Sequence, residues 1–471
     1  MNIREIAGDT AVAFLSQGVS FIVSAATSLL VPKILGIDGF GYWQLFLFYS
    51  TYVGFCHFGL NDGMYLLNGG IRREQADKKS INSQMLVGIV FELVLSAVFC
   101  MATVIGPFER DREFVLISVA VYMVILNTFY YLGYMFQAFG ETRIYSQSIL
   151  ISRVAFVVPL VALLITSNTD FRFYVMGQIF SQVIALIWCV YMAKDVLSSG
   201  LLAPSESIVL ALRSVRAGIK LMISNIASTL ILGILRFVVD ARWGISTFGQ
   251  LSLSLSLINF ALAFINQVGM VLFPALRRAE ESELKGVFQS LRDIMALFMP
   301  ACYPLSIPII WVLSIWLPEY TDSLHYLVWL LPICIFDAQM SLLNTTYFKV
   351  LRAEGALLAI NLFAVSVSAV GIILGVYVIE SFEFAIAMAS ISIVLRSVVG
   401  ERMIADRLNL KVNYSLIASE VCLSFASVFC CANFGEVLSF LICLTLYGAY
   451  LFAYRKRLRK VLAGISKMIQ A

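Results

Sequence analysis

Residues 36–45 read GIDGFGYWQL, and residues 244–253 read GISTFGQLSL. Gly36/Gly244, Ile37/Ile245, Phe40/Phe248, Gly41/Gly249 and Leu45/Leu253 match at a constant offset of 208 residues. Each copy directly follows a long apolar run, so the pattern predicts a duplicated scaffold in which a glycine turn leaves the first helix of each copy. Two short glycine turns that converged are the simpler alternative.

Outward from these turns, apolar runs separated by charge or Gly/Pro clusters give fourteen predicted spans. Their limits are 10–35, 42–67, 82–105, 114–138, 147–167, 174–193, 218–240, 250–274, 294–318, 326–350, 356–379, 384–402, 414–434 and 437–454. A span uses ~20 residues to cross ~30 Å of hydrocarbon, so fourteen take roughly 280. A chain of 471 residues with 60% hydrophobic and 13% charged residues and a mean hydropathy of +0.90 accommodates that number with little outside the bilayer. Water-soluble chains run at about 45–50% apolar and 25% charged, which excludes a soluble enzyme. With six spans between the matched turns, both halves share one orientation, the arrangement of parallel transporter repeats. The fold class is therefore an all-α integral membrane protein, with two six-helix bundles and two further C-terminal helices. The expected divisions are 1–193 and 218–402 for the bundles, 194–217 for a cytoplasmic connector, and 403–471 for the added helices and a basic tail.

Lys and Arg test the count. The first segment and every second loop after it hold 22 of the 33 basic residues, the alternate loops only four, and seven lie within or close to spans. Cytoplasmic loops carry that excess, so both termini are expected in the cytoplasm of a bacterial inner membrane. Met1 to Thr10 lacks a basic region and a small-residue cleavage site, so the first helix is expected to stay as a span. The nine cysteines lie in apolar runs without a Cys-x-x-Cys pair and read as small apolar residues.

Long, polar-poor helix one running into Leu35-Gly36-Ile37-Asp38-Gly39-Phe40-Gly41-Tyr42, with the second Gly-x-x-x-Phe-Gly at 244–249, resembles the polysaccharide flippases of the multidrug, oligosaccharidyl-lipid and polysaccharide exporter superfamily. The resemblance implies movement of undecaprenyl-diphosphate-linked oligosaccharide units from the cytoplasmic to the outer leaflet. It also implies two bundles forming a V around a polar cavity, alternating access, and polysaccharide assembly proteins as candidate partners. Leu235 stands before Arg236-Phe237, where members often carry an acid, so a role resting on that acid does not transfer.

Ionisable residues within spans cost at least ~2.5–3.5 kcal/mol on an isolated helix and turn toward partners or watery cavities. Arg153, Arg396, Arg236 and Lys33 are the cations expected to meet a diphosphate, because guanidinium and ammonium groups match its charge. Neutralising a neighbouring acid is their alternative role. Asp337, Glu92 and His57 are candidates for coupling to H+ or Na+, with salt bridges or packing as the alternative. Asp62 and Asp240, close to span ends, are expected to be solvated. Pro300, Pro304 and Pro308 follow one face of helix nine and mark a bend, either a hinge or a static kink.

No Gly-Lys dipeptide exists for a nucleotide-binding loop, and two histidines, His57 and His325, cannot make an HExxH zinc site. No cofactor, metal or nucleic acid is expected, and no enzymatic activity. A drug/cation antiporter of the same superfamily is the second reading. A membrane-embedded polymerase or ligase is the third, disfavoured by outer loops too short for a catalytic surface.

Overall fold

The computed structural model describes residues 18–278 and 281–470, the side chains of 264, 266–275, 277–278, 281–282 and 464–470 excepted. The start of the first predicted span, before Gly18, lies outside the described residues. Within them every regular element is helical. Eleven helices are long and apolar enough to cross a bilayer, or twelve when the bent pair Gly18–Leu29 and Val31–Val53 (α1 and α2) is taken as one span.

Three of the predicted spans differ in form. The second is broken: α2 ends at Val53, α3 runs Leu60–Asn68, and between them Phe58 (φ 48°) and Gly59 (φ 86°) turn the chain. The seventh and eighth lie in one helical run, α9, Pro204–Arg278, interrupted only at Gly244. Gly36 in α2 and Gly244 in α9 hold closely similar backbones, φ 66°, ψ −179° and φ 81°, ψ −170°. Few residues other than glycine reach that region, which is why both copies of the motif begin with it. Phe40 and Phe248, four residues on in each copy, are fully buried.

The chain divides between Ile226 and Ala227 into two compact units. In the first, α4 (Lys78–Ile105) is inside out. Gln84, Gly88, Glu92 and Ser96 recur every four residues along its buried face, while Val90, Leu93, Val94, Val98 and Met101 are exposed. Such a helix is stable only where its surroundings are apolar. It packs on α5 (Arg110–Ala138), the central helix of this unit, which also touches α6 (Thr142–Ile165) and α7 (Phe171–Met192). Glycines let α3 meet the start of α9 backbone to backbone: a Cβ on Gly63 would lie 1.7 Å from Ser214 O, and one on Gly218 would lie 2.1 Å from Gly59 O.

Beyond the helix ends, Arg73 joins three segments. Its Nε and Nη2 reach Asp195 at 3.1 and 2.5 Å, on the short helix α8 (Lys194–Leu197), and its Nη1 reaches Glu141 at 2.8 Å. Lys78 Nζ adds a 2.8 Å contact to Asp195. Hydrogen bonds from Arg73 hold the Asp195 carboxyl well below the usual carboxylate range, with Lys78 in support. Burial pushes Glu141 up, against the same guanidinium.

In the second unit, α10 (Glu281–Phe298) passes through a 3-10 turn, Met299–Ala301, into α11 (Cys302–Trp316). Pro300 sits in that turn, Pro304 in the first turn of α11, where a missing N–H costs least, and Pro308 in the helix interior. Next come α12 (Thr321–Gln339), a π-helical segment Met340–Thr345, α13 (Thr346–Val350), α14 (Glu354–Tyr377) and α15 (Phe382–Arg407). The chain closes with α16 (Tyr414–Asn433), α17 (Glu436–Ala453) and the basic α18 (Arg455–Gln470).

Candidate functional site

Arg396 and Asp337, read separately from the sequence, form one cluster. Arg396 on α15 sends Nη1 to Asp337 Oδ1 on α12 at 3.2 Å and Nε to Asn361 Oδ1 on α14 at 2.8 Å. The Arg396 side chain is 9% exposed and that of Asp337 32%, so the guanidinium is the more deeply buried member of the pair. The predicted cation and the predicted ion ligand thus share one interhelical bridge.

Arg153 on α6 is different. It is half-buried, and among the described residues it makes no ion pair with a carboxylate. Tyr122 and Tyr130 on α5, which packs against α6, lie within electrostatic range of it. Tyr130 stacks on Tyr134 at 6.3 Å between centroids, and Tyr65 on α3 meets Tyr134 at 6.1 Å. The row Tyr65, Tyr134, Tyr130 beside Arg153 escaped the sequence reading. The i, i+4 spacing of the two α5 tyrosines was the available signal.

Arg236 on α9 donates from Nη2 to Ser252 Oγ at 2.9 Å and lies 5.0 Å from the ring centre of Phe248, the buried aromatic of the second motif copy. Lys33 on α2 is exposed, three residues before Gly36.

His57 lies within the break of the second predicted span rather than halfway along an intact helix. Gly59 N–H donates to its Nδ1 at 3.0 Å, which leaves Nε2 as the protonated nitrogen of a neutral ring, 3.8 Å from Asp62 Oδ2. Asp62 and Asp240 are both buried, correcting the expectation that they are solvated. Glu92 reaches the Asn127 side chain on α5, and Asn127 Nδ2 donates to Val53 O at 2.9 Å where α2 ends. Asn61 Nδ2 donates to Asn127 O at 3.2 Å. Asn127 and Asn61 thus tie α5 to the two sides of the break in which His57 lies. Here the freed backbone groups of a broken span find side-chain partners, as hydrocarbon requires.

A second cluster was not foreseen. Arg292, assigned by the charge pattern to a connector, is buried on α10, with Nε 2.7 Å from Glu401 Oε2 and Nη2 2.7 Å from Glu420 Oε2. Gln339 Nε2 donates to the other oxygen of Glu420. This network fastens α16 to α10, α12 and α15. Two acids within otherwise apolar runs, at 401 and 420, were its signal in the sequence.

The succession of helices is shared with solved membrane proteins. The structure of lipid II flippase MurJ in an inward closed conformation matches with a TM-score of 0.67 at 10% identity, over 95% of this chain and 99% of that one. An inward-facing multidrug resistance MATE family transporter of the MOP superfamily matches at 0.61 and 11% identity, over 84% and 98%. A MOP superfamily transporter from Pyrococcus furiosus matches at 0.52 and 12% identity, over 85% and 94%. The chain shares its all-helical fold with these three structures.

Within that fold the chain belongs to the polysaccharide biosynthesis protein family, whose model matches residues 6–280. Among curated protein sequences none matches it. The resemblance drawn from the two glycine motifs is met by this family.

Proposed function

We infer that the chain is a flippase moving undecaprenyl-diphosphate-linked oligosaccharide units from the cytoplasmic to the outer leaflet of a bacterial inner membrane, without an enzymatic step. Family membership supports the substrate class, and the observation that carries the reading is Arg153. A half-buried guanidinium in a membrane helix, next to stacked tyrosines and without a carboxylate partner, has its charge available for an anion. The diphosphate supplies that anion, and aromatic faces suit the apolar faces of sugars.

In this reading Arg153, Arg396, Arg236 and Lys33 contact the diphosphate in turn during alternating access. Asp337 then exchanges Arg396 for H+ or Na+, which couples transport to a gradient, with Glu92 and His57 as further ion ligands. The bend at Pro300, Pro304 and Pro308 serves as a hinge. The proposed organisation is fourteen crossings with both termini cytoplasmic. It keeps the expected divisions at 1–193, 194–217, 218–402 and 403–471, and assembly proteins for the polymer are its partners.

The test is a leaflet assay with purified chain in vesicles. A diphosphate-linked oligosaccharide lipid placed in one leaflet should appear in the other, faster than in protein-free vesicles. Equal rates with and without protein would sink the proposal.

A further inference from the structure

Within the second unit a pocket of about 680 Å³ opens between α10, α15, α18 and the start of α16. That volume falls in the usual small-molecule range of roughly 300–1,000 Å³. Its charged lining is Arg292, Lys411, Arg457 and Lys460 against Asp293 and Glu401. Two of the cations are already matched: Arg457 Nη1 lies 2.5 Å from Asp293, and Arg292 lies against Glu401. Lys411 and Lys460 are exposed and have no ion pair among the described residues.

Two further features point at an anion. Arg292 is 5% exposed; its Nε, also without a hydrogen bond, lies 2.7 Å from Glu401 and its Nη2 2.7 Å from Glu420, whereas its buried Nη1 has neither a hydrogen bond nor an ion pair among the described residues. A buried donor left without a partner costs about 1–3 kcal/mol, and a ligand oxygen would relieve that. The N-terminus of the 20-residue α16, capped by Asn413 Oδ1 accepting from Leu416 N at 3.1 Å, also faces the pocket. Helix N-termini favour negative charge. Even counting Glu420, which reaches Arg292 from behind, the surroundings keep one net positive charge.

We propose that this pocket binds a phosphate group, with Lys411 and Lys460 supplying the balancing charge, Arg292 Nη1 a fixed donor, and the start of α16 its dipole. The site uses none of the residues assigned to transport, so it does not depend on the flippase reading. The phosphate comes either from a headgroup of an anionic phospholipid or from a soluble phosphate compound, since both present the same oxygens.

The experiment is thermal unfolding of the full-length chain, in detergent and in nanodiscs, with inorganic phosphate titrated against chloride at matched ionic strength. Phosphate should raise Tm where chloride does not. Lys411→Gln/Lys460→Gln should keep the parent Tm in chloride but bind phosphate at least roughly tenfold more weakly, because lost charge-assisted contacts are of that size. Lys411→Arg should retain the response. In discs of phosphatidylglycerol, a vanished phosphate response means the lipid already fills the pocket, and a persisting one means a soluble ligand. Equal responses to phosphate and chloride, or an undiminished response in the double variant, would overturn the site.

Discussion

Arg396 Nη1 lies 3.2 Å from Asp337 Oδ1, and only the acid side of this pair is open, at 32% exposure against 9%. Arg396→Gln therefore leaves a carboxylate without its cation and should cost about 1–3 kcal/mol, below the figure for fully buried pairs because the Asp337 side chain is only partly buried. Asp337→Asn combined with Arg396→Gln should recover most of that loss in thermal unfolding, since no charge is left alone. Leaflet exchange should stay at least roughly tenfold down, the size of one lost charge-assisted contact. Parent exchange rates in the double variant would make the pair a purely structural bridge.

Arg153 predicts the opposite balance. It holds no carboxylate, so Arg153→Ala should change stability by no more than about 0.5 kcal/mol, while exchange of the diphosphate lipid falls by roughly tenfold or more. Tyr130→Phe keeps the ring and should leave exchange near the parent rate. Tyr130→Leu removes the stacking partner of Tyr134 and should lower it. Equal rates for Arg153→Ala and the parent, at equal protein per vesicle, would end the diphosphate assignment.

Gly36→Ala and Gly244→Ala each place a Cβ on a backbone with φ 66° or 81° and ψ near 180°. Each should cost about 1–3 kcal/mol from backbone strain alone. At Gly244 nothing lies within 4 Å of the added atom, so the loss there measures conformation rather than crowding. Gly448→Ala, in the middle of α17 and equally open, should be neutral or stabilising by up to about 1 kcal/mol. Urea or thermal unfolding of the three variants in one detergent separates these outcomes.

These two glycines were legible in the sequence because a left-handed residue leaves a local signature, and the span limits because hydrocarbon selects apolar runs. The break at 54–59 was not. His57, Phe58 and Gly59 sit in a run that reads as continuous, and what supports the break is Asn127 Nδ2 donating to Val53 O, 74 residues away, and Asn61 Nδ2 donating to Asn127 O, 66 residues away. Arg292 was hidden for a similar reason. Counting it among connector cations treats charge as solvated, whereas Glu401 and Glu420, on helices more than a hundred residues later, draw it into the interior. Arg396 and Asp337 were each identified as out of place in lipid, but their 59-residue separation gave no clue that they share a bridge.

Asp195 gives a prediction that involves no transport. Arg73 and Lys78 hold its folded carboxyl below the usual range, so the unfolded chain, titrating near about 3.9, takes up its proton first as pH falls. The stabilisation from this cluster is complete above that value and is lost progressively below it. Glu141 acts in the opposite sense, because burial raises its proton affinity in the folded state. Its gain therefore comes as pH falls toward the range of an unperturbed Glu, near about 4.3, and is complete before most of the Asp195 loss sets in. Thermal unfolding of the parent between pH 6 and about 3 should then decline most steeply at the acid end. Asp195→Asn should start lower at pH 6 and decline less. The pair's 16% and 38% side-chain exposure keeps it within reach of salt, so raising ionic strength should narrow the gap between the two proteins at pH 6. If Asp195→Asn unfolds at the parent temperature at every pH, Arg73 and Lys78 do not fasten α8 to the loop before α4.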